Sequence, residues 1–227
     1  MKFIVSLLFS LLTISTVCSQ NPTNSGNLAD GFKIMRGDSK GTPFLTEAWH
    51  VGYGILEDGT VTRPQQLNYD IHGNNLVYKT GSSDQVMKLL DNSFTGFLLK
   101  DEDGDLLFAK IDGNDFDKSK DDTKYYQIVK APSRSAIVEY VKKLKDPNSS
   151  GWTSSMNNSL NSEYVLSTNY YVLNKDNKYE KVKLSNKGAL KVFKDKKNKI
   201  SSFMKSNNIK IETPMDLFQV AEYYHSL

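Results

Sequence analysis

Residues 94–111 read FTGFLLKDEDGDLLFAKI. Two short runs rich in Phe, Leu and Ile, 94–99 and 106–111, flank the polar stretch KDEDGD, and β-prone runs around a glycine-bearing turn are the sequence form of a β-hairpin. The unit repeats in both directions. Upstream, 66–71 (QLNYDI) faces 76–79 (LVYK) across His72-Gly73-Asn74-Asn75. Before that, 50–56 (HVGYGIL) faces the residues from Thr60 onward across Glu57-Asp58-Gly59, where Asp-Gly favours a tight primed turn. Downstream, 125–130 (YYQIVK) faces 136–144 (AIVEYVKKL), and 164–173 faces 178–184 (KYEKVKL) across NKDN at 174–177. The run 136–144 also fits a helical face through Ile137, Tyr140, Val141 and Leu144; its β-branched and aromatic content favours a strand. Hairpins in series predict a mainly β fold, an antiparallel meander of about ten strands that must curl into a curved sheet, barrel or sandwich to cover its apolar side.

The period changes near Ser185. Ser185 is placed to cap a short helix over 186–193 with Leu190 and Phe193 at helical spacing, and a second helix from about Lys196 to Asn207 carries Ile200, Phe203 and Met204 on one face. Thr213-Pro214-Met215-Asp216 then writes a helix start. The Thr oxygen satisfies an orphan N–H, Pro loses nothing at the first position, and the acid complements the positive helix end. Leu217, Val220, Ala221 and Tyr224 give that last helix a buried stripe. The expected organisation is therefore an antiparallel β domain over 32–184 with a short C-terminal helical segment, 185–227, packed on it.

The N-terminus reads as an export signal. Lys2 precedes the apolar run 3–17 (FIVSLLFSLLTISTV), which is shorter than the ~20 residues a membrane span needs. Val17 and Ser19 occupy the two positions a signal peptidase reads and suit cleavage after Ser19, giving a signal peptide over 1–19 and a polar leader over 20–31. Cleavage removes Cys18, the single cysteine, so the mature chain has no disulfide and no thiol chemistry. Lipid attachment at Cys18 is the alternative, against which stands Val17 where a small residue is wanted. No later stretch is apolar enough to span a membrane.

Gly41-Thr42-Pro43-Phe44-Leu45, the run 66–71 leading into 76–79, and the C-terminal block 187–227 with its Tyr-Tyr pair resemble a group of small exported β-rich proteins typical of flavobacteria-like Gram-negative bacteria. The resemblance covers most of the mature chain. It implies a β domain followed by short helices and an exported, periplasmic or secreted location, and it supplies no catalytic residues.

Four sets of residues are candidates for chemistry. His50, His72 and His225 share no metal-ligand spacing. The acids between Asp101 and Asp122 crowd two consecutive turns, and Asp101, Asp103 and Asp105 stand at alternate positions, as Ca²⁺ ligands do; Gly104 is not where an EF-hand loop has its glycine. The same acids, with Glu47 or Glu57, could pair as a glycosidase does. Lysine dominates 175–210, with 12 lysines against Asp176, Glu180 and Asp195, a basic surface suited to polyanions. Net charge is only +3 and arginine is absent from that stretch, which argues against specific nucleic-acid readout. The 12 tyrosines and the long polar loop 146–162 nominate Tyr69, Tyr78 and Trp152 as ligand contacts, since Tyr and Trp on a curved sheet stack on sugars or peptides. No phosphate loop or nucleophile elbow is visible. The expectation is a non-enzymatic envelope or secreted binding or structural module without a cofactor, Ca²⁺ being the ion its acidic turn would take; the alternatives are an Asp/Glu hydrolase and a Ca²⁺-stabilised module.

Overall fold

The computed structural model describes residues 39–81, 85–89, 94–145 and 162–227. The signal peptide, the leader, Trp152 and the loop up to residue 161 lie outside the described residues. Eleven strands join in one sheet: β1 (Ser39–Lys40), β2 (His50–Leu56), β3 (Gln65–Asp70), β4 (Asn75–Lys79), β5 (Val86–Lys88), β6 (Phe94–Leu99), β7 (Leu106–Ile111), β8 (Lys124–Ile128), β9 (Ala136–Lys145), β10 (Ser162–Leu173) and β11 (Tyr179–Val182). Among the described residues three α-helices follow, α1 (Asn186–Val192), α2 (Lys197–Ser206) and α3 (Pro214–Ser226). The chain is mainly β with a C-terminal helical segment, as the hairpin series predicts.

Four hairpins form where the sequence places them: β3–β4, β6–β7, β8–β9 and β10–β11. The run 136–144 is strand throughout. The Asp58-Gly59 turn also forms, with Leu56 N–H donating to Thr60 O, but the returning chain makes only an isolated bridge at Val61 before β3 begins at Gln65. The other edge of β2 pairs with β6, Gly52 opposite Leu99 and Leu56 opposite Phe94, so the sheet runs β10-β9-β8-β7-β6-β2-β3-β4-β5. One pairing is parallel, β1 beside β10, and it makes the sheet mixed.

The sheet curls without closing into a barrel. The β3–β4 turn returns far enough for His72 Nδ1 to lie 3.3 Å from Lys142 O, for Asn74 to donate to Thr123 O and for the His72 and Tyr164 rings to meet at 5.5 Å. Residues 39–46 act as a strap between the two ends. They leave β10 at β1, receive the Lys142 ammonium on the carbonyls of Thr42 and Phe44, and bond to the end of β3 through Leu45 N–H to Tyr69 O and Ile71 N–H to Pro43 O. Buried Asn68 fastens the strap's exit, donating to Thr46 O and Ala48 O at 2.9 Å each.

The strands at the centre are buried on both faces. On β7, Phe108 enters an inner cluster with Tyr69, Phe97, Leu99 and Tyr125, while Ala109 and Ile111 enter an outer one with Phe116, Tyr126, Ile137 and Tyr171. LLFAKI is apolar at nearly every position and not at alternate ones, the pattern of a strand covered on both sides. The helices cover Ala136, Val172 and Val182 with Ala189, Phe193, Ile200, Leu217 and Val220. α3 starts with the capping box read from Thr213 and Asp216, each side chain bonded to the other residue's backbone N–H. Among the described residues no helix is long and apolar enough to cross a membrane.

Candidate functional site

A lysine-lined groove lies where β11, α1 and the β7–β8 loop meet. β11 buries Tyr179 and Val182 at its two ends and exposes Lys181, with Lys183 exposed just beyond it. On α1, Ala189 and Val192 face the core, which turns Lys187 and Lys191, one helical turn apart, outward. The two elements approach closely because residue 188 is glycine: a Cβ there would lie 2.1 Å from Lys183 O. Two adjoining clefts of about 490 Å³ each result, and they share Glu180, Lys181 and Lys191. Lys183 and Lys187 line the first and Lys118, from the β7–β8 loop, lines the second. All five lysines are exposed, and among the described residues none of them is in an ion pair. The acids on the walls are Asp117 and Glu180.

Aromatic rings and one half-buried cation form the floor of the second cleft. Lys120 points inward from the β7–β8 loop, its Nζ 4.1 Å from the centre of the Phe116 ring, 4.4 Å from Tyr171 and 4.9 Å from Tyr126. It donates to Tyr126 Oη at 2.8 Å and Tyr171 Oη at 3.1 Å and pairs with Glu139 Oε1 at 3.3 Å. The other carboxylate oxygen of Glu139 accepts from Tyr171 Oη at 2.7 Å and Asn169 Nδ2 at 2.9 Å. Burial alone would raise the Glu139 carboxyl; the hydrogen bonds from Tyr171 and Asn169 and the charge of Lys120 outweigh it and hold the group below its ordinary value. Burial lowers Lys120, and Glu139 restores only part of that loss. The pair thus favours the acid's charge more than the lysine's. Burial, then the hydrogen bond and charge of Glu139, push the Tyr171 phenol far up, so it donates to the carboxylate and does not ionise. An amine, a carboxylate and two phenols are a set that catalysis could use, but Glu139 is buried and its oxygens are filled by protein donors. The nest is a fastening: with Asp117 N–H donating to Tyr179 O it pins the β7–β8 loop onto the sheet and so places Lys118 at the groove.

The residues nominated from the sequence lie elsewhere. Tyr69 and Tyr78 are interior, and Tyr69 donates to Asn74 Oδ1 at 2.9 Å. Asp101, Asp103 and Asp105 occupy the β6–β7 turn, with Asp105 paired to Lys100 at 2.5 Å. Among the described residues no three or more of His, Cys, Asp and Glu are grouped to hold a metal ion. Asp122 pairs with Lys124, and of the acids from Asp101 to Asp122 Asp117 alone borders either of these clefts. His50, His72 and His225 stand apart, one ring nitrogen of each set against a different backbone carbonyl, that of Lys100, Lys142 and Leu173 respectively. Lysine richness over 175–210 did point to the basic surface; the recruitment of Lys118 and the Lys120–Glu139 nest went unread, and their one trace was Glu139, a charge inside the apolar run AIVEYV. No family model matches the chain, and neither does any curated protein or solved structure.

Proposed function

We propose that the chain is an exported, non-enzymatic module of the cell envelope or its surroundings that holds an acidic polysaccharide along the lysine-lined groove. The carrying observation is the convergence of Lys118, Lys181, Lys183, Lys187 and Lys191 from three separate elements on two adjoining clefts. A solvated helix face would not recruit a strand and a distant loop to the same place. Lysine offers a compact point charge, where arginine offers a planar fork; a groove lined by lysines without arginine suits spaced carboxylates and lacks the bidentate donors used to read bases. The apolar run 3–17 after Lys2 supports export.

Retention on an immobilised uronic-acid polymer tests the reading. The protein is expected to bind at low salt, to elute as salt screens the lysines, and to ignore a neutral glucan. Replacing Lys181, Lys187 and Lys191 together by alanine should weaken retention at least about tenfold, equivalent to roughly 1.4 kcal/mol, with melting unchanged. Equal retention of wild type and triple variant, or equal affinity for the neutral polymer, defeats the reading.

A further inference from the structure

We infer that the groove holds its polymer lengthwise on two pairs of lysines one sugar apart, and so selects a chain with an acid group on every sugar over one with an acid on every second sugar. The inference rests on the groove reading above and narrows the class of polyanion it takes.

The direction of the chain sets the pairs. β11 ends at Val182, and Ser185 then starts α1, its hydroxyl accepting from Gly188 N–H at 3.1 Å. α1 runs back beside β11. Of the two clefts, Lys187 borders the first, with Lys183, whereas Lys191 borders both, with Lys181 and Glu180. Two residues of extended chain advance about 6.6 Å, and four residues of helix about 6 Å. The step from Lys183 to Lys181 on one wall therefore matches the step from Lys187 to Lys191 on the other. The four lysines stand in two pairs across the groove, Lys183 with Lys187 and Lys181 with Lys191. Lys118 lies beyond the second pair, in the second cleft.

Charge falls along this row. Among the described residues Glu180 is the one acid on the first cleft, and it sits with the Lys181–Lys191 pair. Asp117 borders the second cleft beside Lys118 and offsets it. The grip on an anionic chain therefore comes from the two pairs, the Lys183–Lys187 pair being the stronger. An exposed contact between a lysine and a carboxylate is weak alone. Two such contacts on one chain reinforce each other when their spacing matches, because the second forms without a new encounter. An advance of about 6–7 Å is near that of one sugar in a linear chain and well short of two. Lysines on both walls receive an acid group on either side of the sugar chain. A polymer with an acid on every second sugar fills one pair and leaves the other facing a neutral ring.

Retention of the full chain on two immobilised polymers of equal carboxylate content tests this: a homopolymer of galacturonic acid, and an alternating copolymer of glucuronic acid and N-acetylglucosamine. Wild type is expected to bind the homopolymer about fivefold more tightly, the worth of one added lysine–carboxylate contact. Removing one whole pair, by Lys183→Ala with Lys187→Ala or by Lys181→Ala with Lys191→Ala, should bring the two polymers to equal affinity with melting unchanged. Lys197→Ala with Lys199→Ala takes the same charge from exposed positions of α2 outside both clefts and should keep the preference. Retention on both polymers without a preference overturns the inference and leaves the groove reading standing. A preference that the α2 control loses as fully as the pair variants also overturns it, because a diffuse field and not the spacing would then select. Retention on neither polymer defeats the groove reading and the inference with it.

Discussion

Phe97→Ala is expected to cost about 4 kcal/mol of folding stability, the largest loss from any single truncation in the inner core. Phe97 is fully buried, stacks on Phe108 at 4.6 Å and 12°, and meets Tyr125 edge-on at 5.0 Å and Tyr69 at 5.6 Å. It therefore joins β6, β7, β8 and the curled-over β3 through one ring. Alanine would leave a void walled by three other rings that are themselves held by neighbours and cannot close on it. Phe97→Leu keeps most of the volume and should lose roughly 1.5 kcal/mol or less. Urea unfolding of the two variants measures both. A loss below about 1.5 kcal/mol for the alanine variant would show that β3 does not pack over β7 and β8 as described.

The second large effect lies in the Lys120–Glu139 nest. Glu139→Leu strands the Lys120 ammonium among aromatic rings without its counter-charge and takes the acceptor from Tyr171 and Asn169. Breaking a fully buried pair costs 3–5 kcal/mol, but these side chains keep 23% and 10% of their exposure, so about 2 kcal/mol is expected. Lys120→Met added to Glu139→Leu should recover part of that loss, since an apolar pair of similar volume leaves no charge unpaired. Strict additivity of the two single losses would mean that the side chains do not interact. The pH dependence has a definite sign. Glu139 has a folded-state pKa below its ordinary value, so its contribution is present above about pH 4.3 and is lost as pH falls through the depressed value. Glu139→Gln should therefore flatten the acid limb of the stability curve. Lys120 is also lowered, which makes the charged form costly in the fold and lets stability rise as pH climbs through its folded value. Lys120→Met should remove that alkaline rise.

Much of the fold was legible because the chain punctuates its hairpins locally. His72-Gly73-Asn74-Asn75 and Asn174 to Asn177 are turns by composition, and the structure gives Asn74 and Asn177 the positive φ that asparagine tolerates. The Thr213–Asp216 helix start is likewise decided within four residues. What stayed hidden depends on distant partners. Thr60 to Arg63 looked like the mate of β2, yet that edge holds only a bridge at Val61 before Gln65 to Leu67 pair with it, and β6, far along the chain, takes the other edge; no local pattern encodes a pairing of that reach. Tyr69 and Tyr78 looked like ligand contacts because a tyrosine on a strand reads the same whether its face is open or roofed, and here the curl of the sheet roofs it. The groove was half legible: lysine density marked the region, whereas Lys118 joins it through the contact of Lys120 with Glu139, two residues whose proximity no spacing rule reveals.

The β2–β6 junction sets an order of assembly. β6 to β10 are neighbours in sequence as well as in space, so most of their ladder needs only small loops to close, whereas β2 must find Phe94 and Leu99 after the whole 57–93 excursion has been gathered in. Closing a long loop costs chain entropy before any contact repays it, and such pairings slow the folding of β-rich chains. In pulse-labelled refolding the amides of β7 and β8 should gain protection before those of β2, and simultaneous protection would contradict the sequence of events. Until that late step the inner aromatic cluster is open on one flank, and the half-built intermediate is the species through which this protein would aggregate.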